Sequence, residues 1–236
     1  MGAKEPKHLS LANNIWEDNF KVTGEENEML MRSFLPEELD QILRDTKTDT
    51  APGPDGLPIA FFKNFWDLSR ELVLSILNGF ALGTVDVSRL NFGILSLIPK
   101  VPVAESIKQY RPIALINVLF KLVAKAYAAR LSPVAHRVIA PNQTTFIKGR
   151  AIHEGALLLH EIVHELKSRN LPAVLLKLDF EKAYDRVSWA FLREVLLKKG
   201  FSGGYAHRIM QLVMGGQTAI AINGEIGPYF RNKRGV

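Results

Sequence analysis

Leu175-Leu176-Lys177-Leu178-Asp179-Phe180-Glu181-Lys182-Ala183-Tyr184-Asp185-Arg186-Val187 is the stretch on which the reading of this chain turns. Val174–Phe180 is an apolar run interrupted by Lys177, the pattern of a strand buried on both faces. It delivers Asp179 to the strand's C-terminal end, where a turn follows. A carboxylate in that position stays hydrated enough to ionise and is held firmly enough to bind a hard cation such as Mg²⁺. Tyr184 stands five residues further on and brings an aromatic ring to the same neighbourhood. Taken alone, the segment more readily describes a strand that ends in a capping aspartate and a buried tyrosine.

Working outward, the 236 residues are 47% hydrophobic and 23% charged, enough to bury one ordinary core or two sub-cores and unlike a disordered chain. There is no cysteine, which excludes disulfides and thiolate metal sites. No uncharged apolar run approaches the ~18 residues of a transmembrane helix, so no membrane association is expected. Met1-Gly2-Ala3-Lys4-Glu5-Pro6 lacks the apolar core of a secretory signal, and Pro6 spoils a myristoylation motif. An intracellular protein is expected, with nucleus and cytoplasm both open. Residues 1–50 carry six Lys/Arg against eleven Asp/Glu, whereas the remainder carries twenty-four against thirteen. A basic body behind an acidic front suits a polyanionic partner, and it also suits an ordinary solvated surface.

Residues 1–35 are polar with weak periodicity and read as a connector. Pro36, Glu37 and Glu38 followed by Leu39, Ile42 and Leu43 predict a short helix. Thr50-Ala51-Pro52-Gly53-Pro54-Asp55-Gly56 is a loop, and helices are expected near 58–66 and 68–82. Phe92–Ile98 reads as a strand and 99–116 as loop. Asn117 is expected to cap a helix that Pro133 ends, and 151–169 reads as an amphipathic helix. Ser188 opens a helix closed by Gly200, and a further helix precedes Gly215-Gly216. Thr218–Ile222 and Glu225–Phe230 flank an Asn223-Gly224 turn as a hairpin. This order, helices first and a small sheet later, predicts an α+β fold with a helical front.

Four sets of residues, in order, carry a family resemblance. Asp179-x-x-Lys182-Ala183-Tyr184-Asp185 resembles the first catalytic motif of LINE-type (non-LTR retrotransposon) reverse transcriptases of plant-like kind. Ala51-Pro52-Gly53-Pro54-Asp55-Gly56 resembles that family's Pro-Gly-Pro-Asp-Gly loop. Ile98-Pro99-Lys100 and Tyr110-Arg111-Pro112-Ile113 resemble its fingers motifs. Pro141-Asn142-Gln143-Thr144-Thr145-Phe146 with Lys148-Gly149-Arg150 resembles its template-facing loop. Any one match is weak, but four in order with plausible spacing are specific. A group II intron maturase is the neighbouring alternative, which the first two segments fit less well.

The resemblance implies a right-hand polymerase: fingers and part of a palm over 36–236, with a small, mostly antiparallel sheet. It implies RNA-templated DNA synthesis by two-metal nucleotidyl transfer, with Mg²⁺ as cofactor and Mn²⁺ as an alternative ion. The partners would be an RNA template, a DNA primer and dNTPs; oligomeric state is left open. By resemblance Asp179 and the backbone carbonyl of Phe180 bind metal, and Tyr184 lies under the incoming sugar and rejects a 2′-hydroxyl. Lys100 and Arg111 hold the β- and γ-phosphates, a task for which a planar guanidinium is suited. Lys148 and Arg150 would contact the template backbone. The family continues into Arg-Gln-Gly and Ala-Asp-Asp motifs that this sequence does not reach. The isolated chain is therefore expected to be an inactive fragment. A second reading is a degenerate, non-catalytic nucleic-acid-binding remnant.

A rival motif lies at His160-Glu161-Ile162-Val163-His164, the His-Glu-x-x-His spacing of zinc metalloproteases. The extended form of that motif would need Gly at 167 and His at 170, where Lys167 and Asn170 stand. Glu181 or Glu194 would have to serve as a distant third ligand. The simpler reading is a polar stripe on an amphipathic helix.

Overall fold

Glutamates in the first turns of two short helices organise the front of the molecule. In the computed structural model, which describes residues 10–12, 14–180 and 182–235, the first is Glu26 of α1 (Gly24–Met31). Its carboxylate accepts from Thr23 N at 2.9 Å while Thr23 Oγ1 accepts from Glu26 N at 3.2 Å, a reciprocal capping box. The second is Glu38 of α2 (Pro36–Arg44), which accepts from Leu35 N at 2.8 Å. Proline at the first helical position loses no bond there.

Each carboxylate also meets an arginine of α5 (Val118–Val138). Arg130 bonds both oxygens of Glu38, at 2.8 and 2.7 Å, and donates to the carbonyls of Arg32 and Ser33. Its guanidinium lies 3.6 Å from the Phe34 ring centre. Arg137 bonds Glu26 and reaches the carbonyls of Asn19 and Lys21, each at 2.6 Å. The two arginines are seven residues apart, two helical turns, so they share one face of α5.

Residues read as a polar connector are therefore packed into the body: Leu30 and Phe34 are buried in the same core as Leu39, Tyr127 and Phe80. Two glycines permit close approaches of this front to its neighbours. Gly200 has φ +87°, and a Cβ there would lie 3.0 Å from the Val22 carbonyl. Gly53 abuts the start of α5, where a Cβ would be 2.3 Å from Asn117 N. Asn117 is the N-cap residue of α5 as expected, but its side chain makes no capping hydrogen bond to that helix. Its amide oxygen accepts from Asp55 N and its nitrogen donates to Leu90 O, each at 3.2 Å.

The remaining helices are α3 (Ile59–Asn64), α4 (Trp66–Leu82), α6 (Ile152–Ser168), α7 (Trp189–Lys198) and α8 (Gly203–Met214). Ser188 and Ser202 cap the last two. The strands are β1 (Phe92–Pro99), β2 (Tyr110–Ile116), β3 (Gln217–Ile222), β4 (Glu225–Ile226) and β5 (Phe230–Arg231). The sheet runs β2-β1-β3-β4, with β5 also on β3; the β1–β3 pair is parallel and the others antiparallel. Asn223 and Gly224 both have positive φ, as a tight hairpin turn requires.

Three expectations are corrected. Residues 110–116 form a strand where loop was expected; β2 is an edge strand with β1 as its neighbour, the setting that tolerates Pro112. Pro133 does not end its helix, since α5 runs on to Val138 with Val134 and Val138 buried. Packing on both sides of the proline outweighs the one lost hydrogen bond. Val174–Phe180 is not a buried strand: it has no regular structure, and Val174 is 96% exposed. A strand exists through its ladder, both edges of β1 are taken by β2 and β3, and no strand among the described residues pairs with 174–180. Likewise α6 forms as expected but buries none of its residues.

Arg130→Met should lower the free energy of urea unfolding by about 3 kcal/mol, the low end for a buried pair. Glu38, its partner, keeps 34% of its side-chain surface in water. Both glutamates titrate below their ordinary range. For Glu26 the Arg137 hydrogen bond is the main cause; for Glu38 burial pulls upward and the bonds from Arg130 and Leu35 outweigh it. Their contribution is full above the ordinary glutamate range and disappears as pH falls through the lowered folded-state values. Acid titration of stability should accordingly be shallower in Arg130→Met than in wild type.

Candidate nucleotide and template site

The β1–β2 hairpin sets two of the expected cations side by side. Ile98 pairs with Arg111 and Pro99 with Tyr110, and Lys100 N donates to Gln109 O at 2.7 Å, carrying the ladder one step further. Lys100, one residue past the end of β1, and Arg111 are thus diagonal neighbours at the loop end of the hairpin. Arg111 is exposed. The Lys100 ammonium folds back to the Lys108 carbonyl at 3.0 Å. Such a hairpin end presents one fork and one point charge to an anion.

The loop after α5 is built differently from what its sequence suggested. Arg150 donates to four carbonyls: Ala140 at 2.7 Å, Gln143 at 2.9 Å, His136 at 2.7 Å and Ile139 at 2.9 Å. These include orphan acceptors at the C-terminal end of α5, where a cation is favoured by the helix dipole. The guanidinium expected on a template phosphate is thus engaged as a clamp. Lys148 remains exposed on the same loop. Gln143 Nε2 donates to Thr145 Oγ1 at 3.1 Å, and Thr144 sits against Gly155, where a Cβ would be 2.6 Å from the threonine hydroxyl.

The loop carries Phe146 across to Tyr184. Their ring centres are 5.7 Å apart and nearly perpendicular, at 87°. Phe146 closes the motif over 141–146, and its signal in sequence is only an aromatic at a polar loop tip. Tyr184 is half-exposed in a short 3₁₀ turn, Tyr184–Arg186.

Asp179 and Phe180 lie exposed on the irregular segment, and Glu181 is outside the described residues. Among the described residues no three His, Cys, Asp or Glu side chains gather to hold an ion. The described residues therefore do not by themselves form a metal centre. The same holds for His160, Glu161 and His164, which are exposed on α6. Glu194, considered as their distant ligand, accepts from Leu11 N and Ser10 Oγ at 2.6 and 3.1 Å.

In class this is a mixed α/β protein with a small sheet, several helices, a cationic hairpin and a clamped loop that presents a ring. Residues 98–234 match the family model described as reverse transcriptase (RNA-dependent DNA polymerase). The chain belongs to that family. It is 30% identical over 233 residues to the transposon TX1 uncharacterized 149 kDa protein of Xenopus laevis, covering 98% of this chain and 18% of that protein. It is 23% identical to a Pol polyprotein of the type-1 retrotransposable element R2 of Nasonia vitripennis, over 87% of this chain and 20% of the relative. A Pol polyprotein of the type-2 retrotransposable element R2DM of Drosophila melanogaster is 24% identical over 84% of this chain and 18% of its own length. The chain thus spans about a fifth of the length of the curated relatives it matches. Reverse transcriptases generally use divalent metal ions and act on nucleotides with an RNA template. No helix among the described residues is long and apolar enough to cross a membrane.

Arg150→Ala should release the 140–150 loop. Hydrogen exchange of residues 141–149 should speed up while that of α2 and α4 is unchanged; a loop that stays equally protected would show that the clamp is idle.

Proposed function

We propose that this chain is the fingers and part of the palm of a LINE-like reverse transcriptase, making DNA on an RNA template from a DNA primer and dNTPs. The domain proper spans 36–236 and leans on the packed segment before it. The observation that carries this reading is the diagonal placement of Lys100 and Arg111 across the hairpin, in the part of the chain that matches the family. Two adjacent cations, one bidentate, suit the β- and γ-phosphates of an incoming nucleotide, whose charge must be met as transfer proceeds.

Asp179 and the Phe180 carbonyl are the candidates for Mg²⁺ contact, and the ion would supply charge neutralisation at the transferred phosphoryl group. Tyr184 is the candidate for rejecting the 2′-hydroxyl. Lys148 is the candidate for template backbone contact, a role for which an exposed flexible ammonium is sufficient. The clamp geometry of Arg150 makes its contribution to the template indirect, through the loop that carries Lys148.

Primer extension on an RNA template with Mg²⁺ tests the assignment. The 236-residue chain should incorporate no nucleotide by itself. A longer protein that contains it and spans the relatives' length should incorporate dNTPs, and Asp179→Ala in that protein should lower the rate at least about a hundredfold. Undiminished incorporation by the Asp179→Ala protein would remove Asp179 from the site.

A further inference from the structure

We propose that Phe146 is a positioning residue for Tyr184, and that the two rings together form the wall that distinguishes a deoxyribose from a ribose. This rests on the nucleotide reading above. Phe146 has φ +63°, a left-handed backbone that is unfavourable for a bulky side chain by about 1–3 kcal/mol. Its ring is 85% exposed, so burial does not offset that strain. What holds the conformation is the loop around it: Arg150 on four carbonyls, Gln143 on Thr145, and Thr144 against Gly155. On the other side of the contact Lys182, two residues before Tyr184, is also left-handed, at φ +51°. Two strained backbones converge on one edge-to-face ring pair.

The physical consequence is restriction. A half-exposed tyrosine on a short turn can ordinarily change rotamer to admit an extra hydroxyl. An edge-to-face neighbour opposes that motion with a coupling of about 0.5–1.5 kcal/mol. Because both rings remain partly open, the pair keeps a free apolar surface for a sugar. Phe146 therefore acts through Tyr184, by keeping the tyrosine where a 2′-hydroxyl would collide with it.

The chain labelled with fluorotyrosine, with the Tyr184 resonance assigned by Tyr184→Phe, is titrated in Mg²⁺ with dGTP and separately with GTP. Wild type should respond to dGTP at lower concentration than to GTP. Phe146→Gly removes the ring while favouring the left-handed backbone, so the loop keeps its path. In that variant the GTP-to-dGTP ratio of half-saturating concentrations should fall about threefold to tenfold, the size of one aromatic coupling. Phe146→Tyr, which retains a ring, should restore the wild-type ratio. An unchanged ratio in Phe146→Gly, or equal weakening of both nucleotides, overturns the positioning role and leaves the nucleotide site standing. A wild-type Tyr184 resonance that answers neither nucleotide overturns the nucleotide reading and this proposal with it.

Discussion

Everything at the front of the molecule hangs from two guanidinium groups on one face of α5. Arg130 and Arg137 each close the same kind of circuit: a glutamate that already caps its own helix, plus two backbone carbonyls from a connecting segment. Five donors in a planar fork make this possible where an ammonium would not suffice. The carboxylates are thus doubly used, and their lowered titration records it. Removal of either arginine would strand a charge and two carbonyls at once, a larger penalty than the loss of a surface ion pair.

A third arginine repeats the device beyond the end of the same helix. Arg150 gathers the carbonyls between His136 and Gln143, turning a polar connection into a rigid platform. The platform matters for chemistry because it carries Lys148 and Phe146. At the other end of α5, Asn117 ties the Pro-Gly-Pro-Asp-Gly loop and the start of the sheet to one point. Gly53 belongs there because any side chain would strike Asn117. The helix therefore connects the motif-bearing loop at its front to the motif-bearing loop at its back, while the cationic hairpin springs from the sheet beside it.

Local signals in the sequence were legible where one element's own chemistry decides the matter. Pro36 with Glu37 and Glu38, Ser188 before α7, Gly200 after it, and the Asn223-Gly224 turn all appear where such residues belong. The misreadings share another cause. Tyr110–Ile116 looked like loop because of Pro112, whose tolerance depends on which edge of the strand is free. Pro133 looked like a stop, yet burial on both sides carried the helix through. For Arg150, expected on the template backbone, nothing in its sequence neighbours reveals the four carbonyls that converge on it from upstream.

Asp179 shows the division most plainly. Its motif, together with the three others that match in order along the chain, was enough to place this chain among reverse transcriptases, because motif chemistry is written in order along the chain. Sequence also determined most of the helices, α1 and the far end of α5 excepted, since capping and periodicity act within a few residues. Only the tertiary structure decided that Val174–Phe180 lies open, because a strand's hydrogen bonds belong to its neighbours. It likewise decided that Lys100 and Arg111 are diagonal neighbours, which requires the register of β1 on β2. And it decided that a strained phenylalanine meets Tyr184, because that contact joins segments far apart in sequence, one of them held by hydrogen bonds to backbone carbonyls that no side-chain pattern records.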